Sequence, residues 1–193
     1  MNFLAHLALS HFSADLQVGN FLGDFVRGRR QLAAYPPGVI RGVELHRAID
    51  RATDDHPAVR QLTGRLRPRH GRYAGVVSDV AFDHFLHRDW SRLGPAPFGA
   101  FCHTTYATLA AARDLMPPRV AGYVACMVSD DWLGLYTTPA GMARVFARLR
   151  PRLSRPELLD GVNDTLREEA AAFRHALREL YPALQELSAT YRG

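Results

Sequence analysis

Apolar residues recur along this chain at the three-to-four-residue interval of an amphipathic helix. Leu4, Leu7, Leu9 and Phe12 open the pattern. It continues from about Ala14 to Gly28 through Leu16, Phe21, Leu22, Phe25 and Val26, with Gly28 as the stop. Pro36 and Pro37 break the chain. Pro37 suits the first turn of a helix running through Val39, Val43, Leu45 and Ile49 to about Asp54. Further helices are expected over Pro57–Leu66, about Tyr73–Trp90, Phe98–Leu115, Val120–Leu135 and Pro139–Leu149. The last is expected from about Pro156 to Thr190, with a kink at Pro182. Valines lend Tyr73–Trp90 some strand character, but its length and the Val76, Val80, His84 repeat favour helix. No two-residue hairpin turn separates alternating runs, so nothing argues for a sheet. The pattern predicts one all-α domain over residues 1–193, a helical bundle of about eight to nine helices.

Composition adds to this at three points. With 47% hydrophobic and 22% charged residues, the chain has the balance of a globular protein with one sizeable core, which excludes disorder and a disulfide scaffold. All 24 basic residues are arginine, against 19 acidic ones, for a net charge of +5. Guanidinium forks suit phosphates and carboxylates, whereas a codon bias against lysine would give the same count. The excess points to an acidic partner only where it clusters. Cys102 and Cys126, without a pairing framework, read as buried, reduced thiols. The first residues lack a basic leader region, and no run approaches the ~18 apolar residues of a membrane span. A cytoplasmic protein without membrane contact is expected.

Candidate chemistry lies in a repeated spacing. Asn2 and His6, Asn20 and Asp24, His46 and Asp50, and Asp79 and Asp83 are each four residues apart, with His84 directly after Asp83. Residues four apart share one helix face, so each pair can aim two ligand groups at one site. Asp24 and Asp83 stand among large apolar residues, where an unpaired carboxylate costs several kcal/mol. A divalent cation is the simplest compensation, and helical bundles commonly frame such sites. Asp, His and Asn donors without thiolate suit Mn²⁺, Mg²⁺ or Fe²⁺ better than structural zinc. Asn2 and His6 also admit a plainer reading, as cap and packing of the first helix. No Walker loop, nucleophile elbow, dinucleotide fingerprint or His-Glu-x-x-His is present.

At these residues the chain resembles the acyl carrier protein phosphodiesterases. The resemblance is carried by the opening Met-Asn-Phe-Leu-Ala-His-Leu, by Gly19-Asn20-Phe21-Leu22-Gly23-Asp24-Phe25-Val26-Arg27-Gly28, and by His46-Arg47-Ala48-Ile49-Asp50 with Thr53-Asp54. Asp79-Val80-Ala81-Phe82-Asp83-His84-Phe85-Leu86, Trp90 and Trp132-Leu133 complete it. The resemblance implies a divergent relative of the helical His-Asp phosphohydrolases, best with Mn²⁺. Such an enzyme cleaves the phosphodiester joining 4′-phosphopantetheine to a serine of holo-acyl carrier protein, leaving the apo-protein. The adjacent His-Asp dipeptide of the wider superfamily is absent, since Asp83-His84 is reversed and His46 precedes Arg47.

The expected metal ligands are therefore Asp24, His46, Asp50, Asp79 and Asp83, with His84 a ligand or immediate neighbour. Water activated at the cation would attack phosphorus. Arg27 is the candidate for a second phosphate contact, and His6 or His84 for the general acid. Arg27, Arg29, Arg30, Arg41 and Arg47 lie near these ligands in sequence and are expected to dock the acidic carrier protein. Two rivals are a metal-dependent hydrolase of nucleotides or small phosphodiesters, and a basic helical module for nucleic acid. The carboxylates argue against the second, because without a cation they repel phosphate.

Overall fold

The computed structural model describes residues 1–192, and among them it is helical with no strand. Twelve α-helices run in the order α1 Phe3–Leu9, α2 Ala14–Leu22, α3 Gly28–Leu32, α4 Pro37–Asp55, α5 Pro57–His70, α6 Ala74–Arg88, α7 Trp90–Leu93, α8 Phe98–Ala111, α9 Pro118–Ser129, α10 Pro139–Leu149, α11 Val162–Glu168 and α12 Ala170–Ala189. Short 3₁₀ turns join several of them. Proline starts α4, α5, α9 and α10, where its missing N–H is one the first turn leaves unbonded anyway. Ser13 caps α2 by accepting from the Leu16 amide, and Thr138 caps α10 by accepting from the Gly141 amide.

The all-α expectation holds, with more and shorter helices than periodicity suggests. The segment expected to reach Gly28 leaves the helix at Leu22, and residues 23–27 form a turn and loop. Asp89 separates α6 from α7. The segment expected from Pro156 becomes a 3₁₀ turn, α11 and α12. Glycine at 161 takes a left-handed φ of 69° at the start of α11, a conformation that a continuous helix excludes. Pro182 lies within α12, which continues through it; the carbonyl it leaves unbonded belongs to exposed Arg178. Cys102 is buried as expected, but Cys126 is exposed. It stands beside the buried Val120, Val124, Met127 stripe of α9.

α6 is buried along most of its length, with Val77, Ala81, Phe82 and Leu86 sealed from solvent. Its helical neighbours α1, α5 and α12 pack around it. Phe82 and Phe85 meet Phe173 of α12, the latter pair stacked with centroids 4.9 Å apart. Each such buried side chain contributes about 1.5–3 kcal/mol of transfer free energy. α2 and α4 form the most extensive helix pair. Gly19 and Gly42 meet at their crossing: a Cβ on Gly19 would lie 2.7 Å from the Gly42 Cα, and one on Gly42 would strike the Leu16 carbonyl. Only glycine at both positions lets these backbones touch. That approach brings the end of α2 against the middle of α4.

Candidate metal centre

Three elements converge at the α2–α4 crossing. α1 brings His6, α2 brings Asn20, and α4 brings His46 and Asp50 one turn apart. The loop after α2 adds Asp24. Four residues on, just past the end of α2, Gly23 also faces α4, and a Cβ there would collide with the His46 side chain. The pairs Gly19, Gly23 and Gly38, Gly42 share the same four-residue spacing as the ligands. This signal in the sequence marks where two helices close on a site.

Asn20 is fully buried and fixes His6. Its amide nitrogen donates to the His6 carbonyl at 2.9 Å, so its oxygen must accept from His6 Nδ1 at 2.8 Å. With the ring proton on Nδ1, Nε2 presents a lone pair. That buried nitrogen lies 3.1 Å from Asp50 Oδ1 and makes no hydrogen bond. His46 Nε2 lies 3.1 Å from Asp50 Oδ2 and 3.7 Å from Asp24 Oδ1. The two imidazoles stack at 4.2 Å. Ligand atoms of His6, His46 and Asp50 all fall within 4.8 Å of one another, the one such group among the described residues.

Electrostatics fit a cation at this point. Burial and the neighbouring His46 push the His6 pKa down, against the pull of Asp50, so its neutral, ligating form is favoured. Burial works against charge on Asp50, but the adjoining His46 imidazole, the largest of the opposing causes, holds the carboxyl well below the usual range. A lone pair aimed at an ionised carboxylate 3.1 Å away is repulsive unless positive charge lies between them. Two imidazoles and a carboxylate are an ordinary donor set for a first-row divalent metal. The residues therefore fit a metal site.

The other expected site residues stand outside this group of three. Asp24 is exposed, not buried among its apolar neighbours, because α2 ends before it and the loop turns it to solvent beside His46. Asn20 and Asp24 thus share no helix face. Asn2 donates to the Tyr136 hydroxyl at 2.9 Å, away from the cluster. Asp79 accepts from the Met1 amino group at 3.0 Å. Asp83 is fully buried and accepts from the Leu4 and Ala5 amides at 2.7 and 3.1 Å. Burial raises its pKa to about 7 despite those amides. It holds the first turn of α1 as a capping carboxylate does. The α6 pair therefore anchors the helix that carries His6. His84 donates from Nδ1 to the Tyr136 carbonyl at 2.7 Å and is mostly buried.

The arginines divide. Arg41 donates to the Tyr191 carbonyl at 3.0 Å, and Arg47 to the Val26 carbonyl at 3.2 Å. The second bond ties the loop after α2 to α4 beside His46. Arg27, Arg29 and Arg30 are exposed and line a groove. Sequence reasoning missed Tyr123 of α9, whose ring packs on Phe25 at 5.5 Å, next to Asp24.

Residues 1–184 match the family model described as acyl carrier protein phosphodiesterase. Proteins called acyl carrier protein phosphodiesterase from Salmonella agona (strain SL483) and Enterobacter sp. (strain 638) are each 39% identical over 157 residues, covering 79% of this chain and 81% of theirs. No solved structure matches at a significant level. Among the described residues, no helix is long and apolar enough to cross a membrane. The family model spans every segment that builds the cluster, and with relatives at 39% identity beside it, this chain belongs to the acyl carrier protein phosphodiesterase family.

Proposed function

We propose that this protein hydrolyses the phosphodiester between 4′-phosphopantetheine and a serine of holo-acyl carrier protein, using a divalent cation, best Mn²⁺, held by His6, His46 and Asp50. The family membership supports the reaction. The observation that carries the metal is the unbonded His6 Nε2, locked by Asn20 into its ligating tautomer and aimed at Asp50.

The cation, when bound, supplies Lewis acidity to the phosphoryl oxygens and acidifies water. The chain's own residues set the stage. Asp50 spans both imidazoles and carries the charge that fixes a dication. Asp24, exposed at the rim and 3.7 Å from His46, is placed to order an incoming water or to complete the donor set. His6 is read here as a ligand, not as the general acid. His84 is held by the Tyr136 carbonyl and supports the fold. Asp79 and Asp83 are read as anchors of α1. Arg27 stands three residues beyond Asp24, within reach of a phosphate at the rim.

The test is mass spectrometry of purified holo-carrier protein incubated with metal-stripped enzyme, with and without added Mn²⁺. Conversion to the apo-protein only with the cation is expected. Metal-independent conversion would remove the cation from the reading, and turnover of nucleotides in place of the carrier protein would overturn the substrate.

A further inference from the structure

Arg27, Arg29 and Arg30 line a groove of about 650 Å³ together with Tyr35, Leu115 and Met116. Three features set it apart. Three guanidiniums crowd into four residues of chain, and none of them enters an ion pair among the described residues, a state they share with most of the chain's arginines. Leu115 is one of only two large hydrophobic side chains left exposed among the described residues. The groove also begins where the metal-site loop ends. Arg27 is three residues from Asp24, at most about 11 Å along the chain. Arg47 pins the intervening Val26 carbonyl to α4 beside His46.

Uncompensated like charges crowded on a turn repel one another, and the repulsion is relieved by an anionic partner. An exposed leucine beside them adds an apolar contact that phosphate alone does not use. We infer that this groove seats an acidic, amphipathic helix of the carrier protein, its carboxylates on Arg29 and Arg30 and its apolar side on Leu115. The inference rests on the reading of the carrier protein as substrate. It adds a place and an orientation: the helix lies on α3, and the modified serine is presented past Arg27 to the rim at Asp24.

Equilibrium binding of apo-carrier protein, which carries no cleavable bond, tests this apart from the reaction. Arg29→Glu/Arg30→Glu is expected to weaken binding about tenfold or more. Leu115→Asp should also weaken it. Arg67→Glu/Arg178→Glu makes the same change in net charge at exposed positions outside the groove, and should leave the affinity within about threefold, as general steering alone would. Equal losses in both double variants would overturn the site, as would tighter binding of a single-stranded oligonucleotide than of carrier protein. Groove-dependent binding without turnover of the holo-form would uphold the site and sink the proposed reaction.

Discussion

Gly23 lies so close to His46 that a Cβ at position 23 would collide with the imidazole. The missing side chain is therefore part of what shapes the candidate metal site. Gly23→Ala must push His46 off its position 3.1 Å from Asp50. Strain of this kind costs about 1–3 kcal/mol. The expected outcome is a loss of Mn²⁺ affinity of about ten- to a hundredfold, measured by calorimetric titration, in a protein with an unchanged helical spectrum.

Asn20 decides which nitrogen of His6 carries the proton. Asn20→Ala releases that choice and leaves the ring free to turn. A fall in metal affinity of about ten- to a hundredfold is expected although Asn20 supplies no ligand to the cluster. Unchanged affinity would show that the tautomer is set elsewhere.

Asp50 joins both imidazoles, so its loss should abolish the site. Mn²⁺ at a hundred times its Kd is expected to stabilise the wild-type fold by about 2.7 kcal/mol, visible as a higher melting temperature. Asp50→Asn should show no such rise and no Mn²⁺-dependent hydrolysis. Chelation of the wild type should reproduce both losses.

Asp83 makes a prediction about pH. Its folded pKa of about 7 stands above the unfolded carboxyl value of 3.8, so the folded state holds its proton more tightly. Stability from this group is full below the unfolded value and is lost as pH rises through the folded one. Asp83→Asn keeps an acceptor for the α1 amides without the buried charge. Urea unfolding from pH 4 to 8 is expected to show the wild type losing ground to this variant across that interval, then running parallel. Asp83→Ala should be less stable than Asp83→Asn at every pH, by about 1–3 kcal/mol, because it strands two buried amides.

Much of this was legible in the sequence. Apolar periodicity gives the helical class, and the His46, Asp50 pair survives as neighbours on one face of α4 because that helix is long and regular. The Asn20, Asp24 pair does not, since helix spacing presumes a helix and α2 stops at Leu22. Asp79 and Asp83 do share a face of α6, but that face meets the start of α1. Spacing reports which side chains point together; it says nothing of what stands opposite them. The apolar neighbours of Asp83 in the sequence do mark it as buried, and its compensation is a pair of backbone amides. His6 belongs to the centre because α1 docks against α2, a tertiary relation that no local pattern encodes.

That docking gives the centre a thermodynamic character of its own. His46 and Asp50 sit on one nineteen-residue helix and stay together as long as α4 persists, but His6 arrives on a helix of seven residues. Helices that short do not persist in isolation. α1 is held in part by Asp83 and Asn20, and if it detaches, the cluster loses a donor and its tautomer lock in one event. Metal occupancy would then report the closure of α1 in particular, and the cation would leave at the first sub-global opening, while the helices behind it remain packed.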